Sequence, residues 1–344
     1  MYSGSYTAII TPFSKDTVDY DGLDRLVEFQ IKNGITGILA VGTTGESPTL
    51  TWKEHNRVIE MVADKTRNRS ICIAGTGSNN TQETLEATKH AEAAGVDAIL
   101  LVDPYYNGPS SLEIRKEYVA PIASAFPNID IIPYIIPGRT GTQLLPEDLG
   151  ILNKTYKNVH TVKEATGNIE NMRRTRKCCG THFTILSGDD GMTYQMMTDL
   201  QISAAGVVSV ISNVIPCAVA EMVSLLGKGN RAQAQVILSK IEPLFDLVTV
   251  KTEEETPFGK VTCRARNPLA IKTLMSILGM PSGGCRKPLG KMTLRGLETI
   301  LASARRVQRN APEVFKPIED FFGVDVDERL SDSSCWENLY YEAY

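Results

Sequence analysis

The chain has 344 residues, a formal net charge of −4, 42% hydrophobic and 22% charged residues, a composition that excludes disorder and membrane spanning and offers no basic field to nucleic acid. One barrel of roughly 250 residues fits within this length with an addition to spare. The seven cysteines form no disulfide framework and the four histidines, at 55, 90, 160 and 182, no metal cluster, and residues 1–11 lack the order of a secretory leader, so a reducing, cytoplasmic setting is expected.

Eight apolar runs alternate with helical patterns. The runs are Tyr6 to Phe13, Gly37 to Gly42, Ser70 to Gly77, Ala98 to Tyr106, Ile129 to Pro137, Val159 to Ala165, Phe183 to Asp189 and Gly206 to Ser212. Between them, Asp21 to Asn33, Lys53 to Lys65, Thr81 to Ala94 and Ser110 to Ala125 space their apolar residues by three and four. Asp21 and Ser110 suit helix caps. Short apolar runs bounded by Gly and Pro and separated by amphipathic helices mark parallel βα units, and eight of them predict a closed (β/α)8 barrel, the TIM architecture. An open doubly wound sheet is the alternative, but Ile10-Thr11-Pro12-Phe13 stands where its phosphate-binding glycines belong.

After Ser212 the strands are expected to stop. Cys217 to Leu226, Arg231 to Thr249, Pro268 to Leu278 and Thr293 to Gln308 read as helices, giving a catalytic barrel over 1–226, a C-terminal helical domain over 227–309 and a tail over 310–344. The tail has an acidic middle, Asp325 to Asp332, and an aromatic end, Trp336, Tyr340, Tyr341 and Tyr344. Those aromatics predict docking on the chain's own barrel or on a neighbouring subunit; a disordered terminus is the alternative.

Within the sixth run, period-two alternation puts Thr161, Lys163 and Ala165 on one face and His160, Val162 and Glu164 on the other. If the first face lines a closed barrel, the Lys163 ammonium is desolvated and its pKa falls. That matters because an ordinary lysine is neutral in only roughly one molecule in two thousand at pH 7. A buried strand lysine is a Schiff-base candidate. A snorkelling lysine, or one ion-paired with Glu164, fits the same pattern.

Barrel sites form where strands end at their C-terminal edge. The second run ends in Gly42-Thr43-Thr44-Gly45-Glu46-Ser47, hydroxyl and backbone donors for a carboxylate. The fourth ends in Pro104-Tyr105-Tyr106-Asn107 and the fifth in Tyr134-Ile135-Ile136-Pro137-Gly138-Arg139-Thr140-Gly141. Each alone is consistent with an ordinary turn, core aromatics or a surface arginine. Together they supply an amine nucleophile, phenols for proton relay, carboxylate donors and a guanidinium. That inventory suits enamine chemistry on a 2-oxo acid, with neither metal nor organic cofactor required.

These segments, with Val162-Lys163-Glu164-Ala165-Thr166-Gly167-Asn168 and Leu186-Ser187-Gly188-Asp189-Asp190, stand in an order and spacing that closely resembles the dihydrodipicolinate synthase and N-acetylneuraminate lyase superfamily over residues 1 to about 308. The likeness is strongest to its dihydrodipicolinate synthase branch. The resemblance implies a (β/α)8 homotetramer condensing pyruvate with L-aspartate 4-semialdehyde in lysine and diaminopimelate biosynthesis. By resemblance, Lys163 forms the Schiff base, Tyr134 shuttles protons, and Thr43 and Tyr106 complete the relay, Tyr106 in a neighbouring subunit's site. Thr44 holds the pyruvate carboxylate, Arg139 receives the semialdehyde carboxylate, and Gly188 and Val208 offer main-chain contacts. Gly-Arg-Thr-Gly at 138–141 favours the synthase branch over sugar-acid lyases, whereas Ile135, in place of an Asn, and Pro48 depart from its pattern.

Members of the superfamily inhibited by L-lysine bind it between subunits, and the matching positions are Ser47, Trp52, His55, Asn79, Glu83 and Tyr105. Glu83 suits an ammonium, Asn79 and Tyr105 a carboxylate, and Trp52 an aromatic wall. Two other functions fit the chain: a pyruvate-releasing aldolase of a sugar acid or short hydroxy-oxo acid, and a catalytically silent, lysine-sensing barrel.

Overall fold

The computed structural model describes residues 2–344. Strands β1 (Gly4–Ala8), β2 (Gly37–Ala40), β3 (Ile71–Gly75), β4 (Ala98–Val102), β5 (Asp130–Ile135), β6 (Thr161–Glu164), β7 (Thr184–Ser187) and β8 (Gly206–Ser209) are parallel and close into one barrel, β8 pairing back onto β1. Seven of the eight predicted apolar runs hold one barrel strand each, and the first overlaps β1, which begins two residues before Tyr6. The runs overshoot at their C-terminal ends because the last apolar residues belong to the loops at the barrel mouth.

Alternation along each strand separates two cores. Tyr6, Leu39, Ile73, Leu100, Ile132, Leu186 and Val208 point inward and fill the barrel. Their neighbours, such as Ile38, Ile99, Leu101, Ile131 and Ile185, face the surrounding helices in a second, larger core. Helix Thr81–Ala94 has the predicted bounds, capped by Asn80 and ended by Gly95 at φ 81°, a left-handed conformation suited to glycine. Ser110 caps the helical segment 111–125 as expected. The first helix, Tyr20–Lys32, is capped instead by Asp19, whose carboxylate accepts from Gly22 N at 2.9 Å; Asp21 lies in its first turn, where a negative charge still favours the helix dipole.

The strands do not all stop at Ser212. Helix Arg231–Phe245 ends four residues before the predicted Thr249, and β9 (Thr249–Thr256) and β10 (Gly259–Arg266) then form an antiparallel hairpin across Pro257 and Phe258. Chain alternation is present there, but the turn lacks the Asn-Gly or Asp-Gly that announces a hairpin. Helices Leu269–Ile277 and Leu294–Asn310 complete the appendage.

Glu46, in the loop after β2, and Lys272 pair at 2.7 Å, both side chains fully buried. Lys272 also donates to the Thr11 carbonyl at 2.8 Å. This pair ties the barrel mouth to the appendage. The tail docks on its own chain: Phe315, Ile318, Val326 and Leu330 are buried, Phe321 and Phe322 pack on Phe29, and Arg329 donates to the carbonyls of Ile277 and Ser276 at 2.6 and 3.0 Å. Among the described residues no helix is long and apolar enough to cross a membrane.

Candidate active site

Strand β6 points Lys163 into the barrel. Lys163 is 4% exposed, Ala165 packs on the inner cluster and Val162 lies in the outer core, as the alternation requires. Glu164 faces the other way, where its carboxylate accepts from Thr166 N at 2.8 Å and Asn171 Nδ2 at 3.1 Å. The Lys163–Glu164 ion pair therefore does not form, and the side chain does not snorkel.

Lys163 stands beside Tyr134 in the β5–β6 register, with its Nζ 4.1 Å from the centroid of the phenol ring. The amine pKa is lowered to about 7, chiefly by burial, with the buried Asp190 opposing the shift and Arg139 adding to it. At neutral pH a large share of the amine is thus uncharged. Asp190 is held by the Ser209 hydroxyl and by Val210 N at 2.9 Å. Gly188 lies against the lysine: a Cβ there would come within 3.1 Å of Lys163 Cγ and Cε and 2.8 Å of Ala165 Cβ. Only glycine lets β7 end this close to the nucleophile. Val208 is buried in the inner cluster.

Burial raises the Tyr134 phenol to about 12, against the lowering effects of Arg139 and the nearby Thr43 hydroxyl. Tyr134 therefore stays protonated at neutral pH. It walls a cavity of about 210 Å³ with Thr43, Ile136 and Arg139. Lys163 is one side chain removed from that wall, under the phenol. Ile135, the departure from the family pattern, is buried in the outer core, while Ile136 lines the cavity.

Thr44 is buried, and its hydroxyl accepts from Asn267 Nδ2 at 2.9 Å. The Arg139 guanidinium, on the one-turn helix Pro137–Thr140, donates to the Asn267 carbonyl at 3.0 Å. Asn267 was not identified from the sequence; the only signal there was the turn-forming Asn267-Pro268 dipeptide. Tyr106 is not gathered with the others: it has φ 80° and is 90% exposed.

Of the six residues matched to the lysine site, Ser47 and Tyr105 line the same cavity as Tyr134. The ring of Trp52 meets that of His55 edge-on at 5.1 Å. Burial pushes His55 down to about 4, so its ring is neutral. Glu83 accepts from the Ser78 hydroxyl at 2.6 Å, and Asn79 is exposed. Among the described residues no group of three or more His, Cys, Asp or Glu is placed to hold a metal ion.

The model of the dihydrodipicolinate synthetase family matches residues 1–305. The 4-hydroxy-tetrahydrodipicolinate synthase of Syntrophus aciditrophicus is 41% identical over 310 residues, 90% of this chain and 98% of its own. That of Methanococcus maripaludis is 42% identical over 289 residues, 84% of this chain and 93% of its own. Among solved structures, the 4-hydroxy-tetrahydrodipicolinate synthase of Methylacidiphilum fumariolicum superposes with a TM-score of 0.83 at 34% identity, covering 94% of this chain and all of its own. The DHDPS from Cyanidioschyzon merolae with lysine bound has a TM-score of 0.80 at 32% identity, covering 89% of this chain and 98% of its own.

Proposed function

The chain belongs to the dihydrodipicolinate synthetase family, and from that membership we propose that it is a class I, Schiff-base lyase that condenses pyruvate with L-aspartate 4-semialdehyde to 4-hydroxy-tetrahydrodipicolinate. The observation that carries this reading is the desolvated Lys163 amine lying 4.1 Å from the centroid of a protonated Tyr134 ring. The route asks for neither a metal nor an organic cofactor.

In the proposed reaction the neutral Lys163 amine attacks C2 of pyruvate, and the carbonyl oxygen leaves as water to give an imine. Loss of a methyl proton makes the enamine, whose carbon bonds to the aldehyde carbon of the semialdehyde while the aldehyde oxygen takes up a proton. The amine of the semialdehyde then displaces Lys163 from C2, closing the ring and freeing the enzyme. Tyr134, which shares the cavity wall with Thr43, hands protons in and out of these steps. Thr44 orients the pyruvate carboxylate, supported by main-chain groups of Gly188 and Val208, and Arg139 takes the semialdehyde carboxylate. Tyr106, too exposed to serve its own cavity, completes the relay of a neighbouring subunit in a homo-oligomer, which we propose is a tetramer.

Borohydride trapping in the presence of pyruvate, followed by mass spectrometry, tests the reading: a reduced adduct on the Lys163 peptide is expected, and its absence would return the chain to a silent, lysine-sensing barrel. Turnover of the semialdehyde must then exceed cleavage of sugar acids or short hydroxy-oxo acids; the reverse preference would make the chain a pyruvate-releasing aldolase.

Regulation follows from the same resemblance, supported by the lysine-bound Cyanidioschyzon structure. L-Lysine would inhibit through Ser47, Trp52, His55, Asn79, Glu83 and Tyr105; a titration flat into the millimolar range rejects this. We place the enzyme in the cytoplasm and divide it at 226 and 309 into barrel, appendage and tail.

A further inference from the structure

The hairpin carries its unpaired cations on one face. Thr249 and Lys251 of β9 stand across from Arg266 and Arg264 of β10, and alternation turns all four the same way. That face meets Arg139, Ile136 and Thr166 in a groove of about 400 Å³ beside the site, and no carboxylate lines it. Among the described residues Arg139, Lys251, Arg264 and Arg266 form no ion pair. Of the hairpin's acids, Glu253 and Glu255 share that face nearer the turn, where Glu253 accepts from the Thr262 hydroxyl at 2.8 Å and Glu255 pairs with Lys260 at 3.5 Å, and Glu254, on the other face, lies 3.9 Å from Arg295.

Two features separate this groove from an ordinary solvated basic face. Lys251 and Arg264 are directly opposite in the register, where like charges destabilise a sheet. An anion lying between them attracts both and offsets that repulsion. The groove is also fixed to the mouth: Arg266 Nη1 donates to the Gly138 carbonyl at 3.0 Å, and Arg139 donates to the Asn267 carbonyl just beyond β10. Both arginines thereby hold backbone of the opposite segment and keep β10 against the loop that carries Arg139.

We infer that this groove is a carboxylate-docking site, built by the hairpin, that captures the acid end of the second substrate and passes it to Arg139. The inference rests on the proposed condensation and extends it: the acceptor aldehyde must be a short, acid-bearing one, and Lys251 and Arg264 set its affinity. Pyruvate, which must go past Arg139 to reach Lys163, depends on the groove far less.

The test uses the full chain with Lys251→Gln, Arg264→Gln, both together, and Lys260→Gln as a charge control at the hairpin tip. With either groove charge removed, the melting temperature at low salt is expected to rise by roughly 1–2 °C, because the cross-strand repulsion is relieved. Succinate, an unreactive dicarboxylate, is expected to raise the melting temperature of the native chain and of Lys260→Gln more than that of the double variant. In steady-state kinetics the double variant's KM for the semialdehyde is expected to rise about tenfold with KM for pyruvate moving less than about twofold. Equal succinate protection in all chains, equal changes in both KM values, or the same defect in Lys260→Gln would each overturn the inference. So would inorganic phosphate protecting as well as succinate while the semialdehyde KM stays put. The melting measurements involve no turnover: if succinate protection discriminates among the variants but the native chain does not condense the semialdehyde, the proposed reaction falls and the docking site stands.

Discussion

The side-chain amide of Asn267 donates to the Thr44 hydroxyl at 2.9 Å, joining positions 223 residues apart. A residue outside the barrel thus sets the orientation of a hydroxyl that, in the proposed reaction, holds the carboxylate of pyruvate. Asn267→Ala removes a buried hydrogen bond of about 1 kcal/mol. The Arg139 contact survives, because it uses the Asn267 main-chain carbonyl. The expected result is a KM for pyruvate raised about fivefold with kcat nearly unchanged. An unaltered KM in steady-state kinetics would remove Asn267 from the site.

Lys163 should report its burial through pH. Its folded pKa is about 7 against 10.5 for a free lysine, so between those values the unfolded chain binds more protons than the folded one. The resulting cost to stability is fully present below about pH 7 and vanishes as pH rises through 10.5. Lys163→Met is therefore expected to be more stable than the native chain at about pH 6, by on the order of a few kcal/mol, with the gap closing by about pH 10. Urea midpoints for the two chains measure this, and coincident midpoints in acid would mean a solvated amine. The rate of pyruvate adduct formation is expected to rise with pH and level off above about 7, as the neutral amine becomes the major form.

The Glu46–Lys272 pair is expected to fail asymmetrically. Lys272→Met leaves Glu46 as an uncompensated charge in a fully buried position, a change that typically costs roughly 3–5 kcal/mol. Adding Glu46→Gln removes that charge and is expected to restore part of the loss. Denaturant unfolding of the single and double variants checks it; a double variant less stable than Lys272→Met would show that Glu46 matters for something other than its charge.

Removing the tail after Asn310 strips Phe315, Ile318, Val326 and Leu330 from the core and uncovers Phe29, on which Phe321 and Phe322 pack. Each large side chain of this kind contributes roughly 1.5–3 kcal/mol when buried. The truncated chain is expected to melt many degrees lower, and an unchanged melting temperature would show that the docked tail is dispensable to the fold.

Local pattern determined a great deal here. Eight apolar runs bounded by Gly and Pro imply eight parallel strands, and the two-residue period alone decides that Lys163 and Ala165 share a face opposite Val162 and Glu164. Chemistry carried by contiguous residues, such as Thr43 and Thr44 or Pro137 to Thr140, was legible because each loop follows its own strand. Whether the Lys163 face was dry, however, depended on the barrel closing, and only the closed barrel puts Tyr134 beside the amine and lowers its pKa. The same limit hid Asn267, the Glu46–Lys272 pair and the basic groove. Their partners lie far apart in the chain, a hydrogen bond or charge pair leaves no period in a sequence, and the hairpin that bears Lys251 and Arg264 acquires its meaning only where it comes to rest.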